Sequence, residues 1–258
     1  MVEGDAENIL VPVIADILGY PLEKYGVSVV NVGSTAFLRY SGIMIRKDGR
    51  GIGIPVSVIT DCDVRPYDID KDTNEKIFNE KESESTQKEK ENNEKYTNGS
   101  VRGFTSPRWT LEYCIAMSCL SEEFHKSVHY GKKILNARDY IALTDEKINE
   151  ANQEMEKEEE QWHTLPLWKK AYQIYDLMLD KDGKSGLKAI VAQCFASFLR
   201  WKISVIPENL KQEKMFDLDL YRLKIDDKKK FELKSKIEGD QFLSYIVKAI
   251  KYAAGETV

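Results

Sequence analysis

Two short runs of β-branched apolar residues constrain the fold of this chain more than any other feature. Residues 27–32 read VSVVNV and residues 54–60 read IPVSVIT. Runs this apolar are typical of strands that are covered on both faces of a sheet. A helical pattern lies before the first run and another lies between the two, and this alternation predicts a parallel sheet. We therefore expect an α/β fold in which helices flank a parallel sheet.

The pattern of the chain predicts two parts. Residues 1–130 alternate between strand and helix patterns, whereas residues 131–258 show helical periodicity and predict a helical subdomain. Within the first part, residues 68–100 are highly charged and nearly free of apolar side chains. Such a segment buries too little surface to offset its chain entropy, so we expect a flexible insertion there.

Composition excludes several classes of protein. No apolar run approaches the roughly 20 residues of a membrane span, and the N-terminus lacks the pattern of a signal peptide. The four cysteines have no paired spacing, which predicts reduced thiols in a cytoplasmic protein. None of the three histidines lies in a metal or nucleophile motif. We interpret His125 and His129, four apart on a predicted helix, as a surface pair.

The charge balance limits how the chain can bind nucleic acid. It has 43 acidic and 38 basic residues, for a net charge of −5. Neutralising DNA phosphates takes lysine and arginine, and this chain lacks an excess of them. Any DNA binding would depend on local basic patches, bound cations or a partner domain.

Acidic side chains follow the ends of predicted strands or begin predicted helices. The three motifs are Glu3-Gly4-x-x-Glu7, Asp61-Cys62-Asp63 and Thr110-Leu111-Glu112. Because ligands bind outside the carboxyl ends of parallel strands, we expect these carboxylates to lie at one edge of the sheet. Crowded carboxylates repel each other unless cations lie between them, and hard oxygen ligands select Mg²⁺ or Mn²⁺. Each motif alone is a weak signal, but their order predicts a metal site.

These motifs resemble the Toprim domain, which topoisomerases, bacterial primases and some nucleases share. The sequence of residues 1 to about 120 is even more similar to the C-terminal region of the OLD (overcoming lysogenization defect) family nucleases. In the tail, residues 188–193 (KAIVAQ) are similar to the segment that supplies the catalytic lysine of that family. The resemblance implies a Toprim, Rossmann-like parallel sheet, with the helical subdomain completing the active site.

The resemblance also implies roles for individual residues. Two Mg²⁺ or Mn²⁺ ions would be held by one set of side chains: Glu3, Glu7, Asp61, Asp63 and Glu112, with Thr110 assisting through its hydroxyl. Of these, Glu3 and Asp61 would act in catalysis together with Lys188, which would lie near the scissile phosphate. Lys184 is the alternative to Lys188, because the tail motif is less specific than the acidic motifs.

The implied function is metal-dependent cleavage of DNA phosphodiesters by two-metal hydrolysis. Proteins of the OLD type carry an ABC-type ATPase ahead of the Toprim domain, and no Gly-x-x-x-x-Gly-Lys-Ser/Thr motif occurs here. We therefore expect a nuclease part of an ATP-dependent endonuclease, with the ATPase domain as a missing partner. The family resemblance further suggests a homodimer and a role in defence against phage.

Two other classes of function stay open at this point. A topoisomerase or primase module shares the carboxylates but works with further domains. A non-catalytic DNA-docking or assembly module could keep the fold without turnover. Sequence preference, and nicking as opposed to double-strand cleavage, are not encoded in any motif.

Overall fold

A computed structural model describes residues 1–45, 53–135, 144–179, 187–208, 210 and 222–257. The strands are β1 (Val56–Thr60), β2 (Tyr67–Ile69), β3 (Lys76–Phe78) and β4 (Val101–Thr105). The α-helices are α1 (Asp5–Leu18), α2 (Phe37–Ser41), α3 (Glu82–Tyr96), α4 (Leu111–Met117), α5 (Ser121–Leu135), α6 (Asp145–Trp162), α7 (Leu167–Asp176), α8 (Lys188–Lys202), α9 (Asp227–Glu238) and α10 (Ser244–Ala253). The described part of the chain is thus mixed α/β and mostly helical, as predicted.

A small parallel sheet forms the centre of the N-terminal half. Strands β1 and β4 pair in parallel, with Val56 opposite Val101 and Thr60 opposite Thr105. Both strands therefore end at the same edge, directly before Asp61 and before the loop that leads to α4. This register confirms the predicted parallel sheet and the predicted meeting of strand ends.

The first apolar run, residues 27–32, forms less sheet than its composition suggested. Its pairing is an isolated parallel bridge between Val2 and Asn31. The Val2 amide donates to Val30 O, and the Val32 amide donates to Val2 O, both at 2.9 Å. Val30 is 48% exposed, so the run lies at an edge and is not covered on both faces. The expected buried central strand is corrected to an edge bridge.

Residues 68–100 fold, which corrects the expectation of a flexible insertion. Strands β2 and β3 form an antiparallel hairpin, and α3 packs against β4. Ser85, Asn92 and Tyr96 of α3 are buried. The Asn93 side chain accepts a hydrogen bond from the Thr105 amide at 2.8 Å. Polar contacts with the sheet therefore hold this helix, and a criterion based on hydrophobicity alone misses them.

The helical second half packs directly on the sheet and on α1. Ser57 of β1 donates its hydroxyl to Ala249 O of α10 at 2.6 Å. Arg200 of α8 pairs with Asp16 of α1 at 2.8 Å. One hydrophobic core runs through residues of both halves. The boundary expected near residue 130 falls inside α5.

His125 and His129 lie inside the protein. His125 and His129 are 0% and 2% exposed, so the expected surface pair is wrong and both rings are buried beside α6. In the part of the chain that the structure describes, no helix combines the length and apolar character needed to cross a membrane.

Candidate metal centre

Four of the predicted metal ligands come together with the predicted lysine. Glu3, Glu7, Asp61, Glu112 and Lys188 line one cavity of about 490 Å³. These residues come from four separate parts of the chain: the start of α1, the end of β1, the first turn of α4 and the first residue of α8. The edge of the sheet and three helix starts therefore build the site.

Hydrogen bonds fix two of these carboxyl groups. One oxygen of Glu3 accepts from the Asp61 amide at 3.1 Å and also from the Thr60 hydroxyl. The Asp61 side chain accepts from the Leu111 amide at 2.9 Å. Asp61 thereby links the end of β1 to the start of α4, and its carboxyl group cannot turn away without breaking that bond.

The electrostatics of the cavity favour a bound cation. Burial raises the pKa of Asp61 well above its ordinary value, and the neighbouring Glu112 and Glu7 raise it further. Burial, followed by the charge of Glu112, raises the pKa of Glu7 to about 7. Two buried carboxyl groups are thus held in a place where their charged forms are costly. A divalent cation would remove that cost.

Lys188 supplies one positive charge to this group. Its Nζ lies 3.1 Å from Glu112 Oε2 and 5.6 Å from the centre of the Tyr175 ring. Burial lowers the Lys188 pKa, but the neighbouring Glu112, Tyr175 and Asp61 outweigh burial and hold it above its ordinary value. Lys188 therefore stays protonated and faces the carboxylates. Lys184, the alternative from the sequence, lies outside the described residues.

Asp63 and Thr110 lie on a neighbouring cavity of about 580 Å³, which Asp61 and Lys188 also line. Asp63 is exposed, with a left-handed φ of 63°, and its amide donates to Trp109 O at 2.8 Å. The Thr110 hydroxyl caps α4 by accepting from the Tyr113 amide at 3.3 Å. These two predicted ligands thus lie next to the other four, because Asp61 lines both cavities.

The donor set fits Mg²⁺ or Mn²⁺. All of the cavity's candidate ligands are hard carboxylate oxygens, the type that these ions select. Among the described residues, no three of these four carboxylates have ligand oxygens within 4.8 Å of one another. Mg²⁺ is usually held by one or two carboxylates and keeps several of its waters, so it does not need all four carboxylates at once.

Sequence reasoning missed two residues that line the second cavity and a third whose pKa the carboxylates of the site influence. Arg65 and Lys76 line the second cavity and are exposed. The buried hydroxyl of Tyr245 on α10 has no hydrogen-bond partner among the described residues. Burial raises the Tyr245 pKa, and Cys114, Asp61 and Glu7 raise it further, which places this hydroxyl in the electrostatic reach of the site. A tyrosine on an amphipathic helix gives no signal of such a position, because core packing explains it equally well.

Comparison with known proteins identifies the N-terminal segment. Residues 1–63 match the family model described as overcoming lysogenization defect protein-like, TOPRIM domain. The first two acidic motifs lie inside this match, so residues 1–63 are similar to an OLD-like TOPRIM domain, as the resemblance drawn from those motifs implies. The chain is also similar to two solved structures. The C-terminal region of the Xanthomonas campestris pv. campestris OLD protein is 19% identical, with 98% of this chain and 92% of that chain covered and a TM-score of 0.42. The C-terminal region of the Burkholderia pseudomallei OLD protein is 15% identical, with 98% and 96% covered and a TM-score of 0.44.

A comparison with curated proteins gives no match. The assignment of residues 1–63 rests on the family model, and the remaining site residues, Glu112 and Lys188, lie beyond the matched segment. Their place in the site comes from the geometry described above.

Proposed function

We propose that this protein is a divalent-metal-dependent DNA endonuclease whose site is formed by Glu3, Glu7, Asp61, Glu112 and Lys188. The observation that carries the proposal is the single cavity that these five side chains line. A buried carboxylate cluster of this kind stabilises the fold little by itself, because like charges repel in a poorly solvated place. The binding of cations accounts for such a cluster, three of whose carboxylates lie in the segment that matches the TOPRIM family model.

The residues of the site have separable tasks in this proposal. Glu3, Glu7, Asp61 and Glu112 would hold Mg²⁺ or Mn²⁺, in two positions if Asp63 and Thr110 take part from the neighbouring cavity. When bound, the ions supply Lewis-acid stabilisation of the phosphate and activate the attacking water. The backbone amide of Leu111 orients Asp61. Lys188 offsets the negative charge that develops on the phosphate.

The DNA backbone would enter through the second cavity. Arg65 and Lys76 line it together with Asp61 and Lys188, so positive charge lies within reach of the carboxylates. This local arrangement suits a chain whose net charge is −5, because overall charge cannot attract DNA here. An ABC-type ATPase partner, a homodimer and a role in phage defence stay predictions.

Cleavage of a supercoiled plasmid tests the proposal. The purified chain is incubated with plasmid in Mg²⁺, in Mn²⁺ and in EDTA, beside Asp61→Asn and a control, Asp72→Asn, whose carboxylate is exposed on the β2–β3 hairpin. We expect nicking or linearisation by wild type and Asp72→Asn in either metal, and none in EDTA or with Asp61→Asn.

Three outcomes would count against this proposal. Equal cleavage by wild type and Asp61→Asn would place the activity elsewhere. A covalent protein–DNA adduct through tyrosine would support the topoisomerase type instead. Inert protein that still binds the metal would favour a docking module.

A further inference from the structure

A second group of potential metal ligands lies between α5 and α6, away from the carboxylate cavity. His125 and His129 are one helical turn apart on α5, so their side chains share a face. Both are almost fully buried. Glu158 of α6 reaches them from the opposite side, with its side chain 21% exposed. Three donor groups from two helices thus face one point.

The donor atoms converge closely. Oε2 of Glu158 lies 2.8 Å from Nε2 of His125 and 2.7 Å from Nε2 of His129. The two Nε2 atoms are 3.3 Å apart. When both neutral rings carry their proton on Nε2, both N–H groups donate to the same Glu158 oxygen and lie against each other. A cation at this point would accept all three lone pairs at once.

The outer contacts of His129 match those of a metal ligand. Its other ring nitrogen, Nδ1, lies 3.3 Å from Oε2 of Glu154, and the second oxygen of Glu154 accepts from Lys133 at 2.8 Å. Metal-bound histidines usually donate their second N–H to a carboxylate, which orients the ring. Glu154 is placed to do this, with its nearer oxygen on the side of the ring away from Glu158.

His125 contacts the cluster through Nε2. Its Nδ1 atom is buried and has no hydrogen-bond partner among the described residues, and an oxygen of Glu159 lies 3.9 Å from it. The ring itself is held flat against Trp162, with centroids 5.4 Å apart and planes at 28°. The ring is therefore fixed in orientation by packing, and its Nε2 points to the shared site.

We propose that His125, His129 and Glu158 bind a divalent cation of the zinc class. Two imidazoles and one carboxylate suit Zn²⁺ and its neighbours, whereas Mg²⁺ prefers oxygen ligands alone. Three protein ligands leave a position for water. Ile148 and Ala151 are the residues of α6 that the structure shows as buried, so the apolar contact of this helix is small. The cation joins α6 to α5 and so stabilises the packing of the helical half.

Metal binding to the full-length chain tests the site directly. Protein freed of metal with a chelator is titrated with Zn²⁺ in the Asp61→Asn background, which removes the carboxylate site as a competitor. We expect one Zn²⁺ per chain, unaffected by excess Mg²⁺, and a rise in Tm on binding. Substituting Co²⁺ should give the visible absorption bands of a site with nitrogen ligands.

Variants divide the cluster by role. His129→Gln and Glu158→Gln should lose the bound Zn²⁺ and the Tm rise. Glu154→Gln removes only the orienting carboxylate and should weaken binding by roughly 10–100-fold. His163→Gln is the matched control, because His163 is exposed at the end of α6, and it should bind as wild type does. Circular dichroism confirms that each variant is folded.

Two results would overturn the proposal. The first is a wild-type chain that binds no Zn²⁺ and shows no Co²⁺ bands. The second is a folded His129→Gln or Glu158→Gln protein with unchanged affinity for Zn²⁺. Both readouts are independent of DNA cleavage, so they hold whether or not the proposed nuclease activity is found.

Discussion

Asp61 makes hydrogen bonds to several parts of the chain that surround the carboxylate site. Its amide donates to Glu3, its side chain accepts from Leu111, and its carbonyl accepts from Asn92 of α3 at 3.4 Å. It also lines both cavities. A single residue thus connects the start of α1, the sheet edge, α3 and α4, and its position depends on all of them.

Glu7 gives the metal-free protein a pH-dependent stability. Its pKa in the folded chain is about 7, above the ordinary value of 4.5, so the folded state binds more protons between these values. The free energy of unfolding therefore falls as pH rises from 4.5 through 7, by about 3 kcal/mol in total. We expect Glu7→Gln to remove that part of the fall, measured by urea unfolding in EDTA.

The matched control for this prediction is Glu23→Gln, which changes an exposed glutamate after α1. It should leave the pH profile as in wild type. Saturating Mg²⁺ should flatten the wild-type profile, because the bound ion favours the ionised carboxylate. If the free energy of unfolding of Glu7→Gln falls with pH as steeply as that of wild type, burial of this carboxyl group does not destabilise its charged form.

Lys188 should affect cleavage more than metal binding. Its ammonium group lies 3.1 Å from Glu112 and on the border of both cavities. Removing one preorganised positive group that stabilises the transition state costs roughly 10²–10³-fold in rate. We expect Lys188→Met to lose this much in a single-turnover assay while still binding Mn²⁺.

Lys184→Met is the informative comparison for that assay, because the sequence left this lysine as the alternative. It should cleave as wild type does. Loss of cleavage in Lys184→Met with normal rates in Lys188→Met would reverse the two roles.

At the scale of elements, the contact of α3 with β4 depends on a glycine. A Cβ atom at Gly103 would lie 3.0 Å from the Cα and carbonyl oxygen of Asn93 and 3.1 Å from Cβ of Tyr96. Gly103→Ala must therefore push α3 away from the strand. We expect a loss of about 1–3 kcal/mol in the free energy of unfolding, measured in urea.

Gly239→Ala is the control, because its added Cβ would meet Ser235 O at an ordinary 3.4 Å. It should change the stability little. Because α3 also bonds to Asp61 through Asn92, Gly103→Ala should reduce metal affinity as well. Full stability in Gly103→Ala would show that α3 is not packed as described.

The predictability of each element follows from the range of the interactions that form it. Local patterns predict β1 and the helical periodicity of the second half, because each depends on neighbouring residues. Hydrophobic patterning does not predict the fold of residues 68–100, because asparagine side chains of α3 bond to Asp61 and to β4, a strand that follows the helix in sequence. The edge position of residues 27–32 is not predicted either, because the apolar composition of a run does not distinguish an edge strand from a central strand.

The predictability of the site residues also follows from how far apart in sequence the contacting residues lie. Short motifs identified Glu3, Glu7 and Asp61, and resemblance in the tail identified Lys188, whose pairing with Glu112 joins residues 76 apart. The partner of the two histidines, Glu158, lies 29 residues after His129, with no motif between them. Spacing cannot predict contacts between helices of that separation, so this cluster needed the fold.

For the whole molecule, the shared core predicts one cooperative unit. Helices α8 and α10 from the second half cover α1 and β1 from the first, including the bond from Ser57 to Ala249. We expect tryptophan fluorescence and circular dichroism to report the same urea transition, and a chain ended at residue 130 not to fold. Two separate transitions, or a folded fragment 1–130, would instead support independent parts.

If the carboxylate cavity is a site for divalent cations, the binding of Mn²⁺ must depend on Asp61. Equilibrium dialysis of chelator-treated protein compares wild type with Asp61→Asn and with His129→Gln. We expect wild type and His129→Gln to bind two Mn²⁺ ions per chain. We expect Asp61→Asn to lose more affinity than the roughly 10–100-fold cost of removing an outer contact. Folded Asp61→Asn that binds Mn²⁺ as tightly as wild type would contradict the claim.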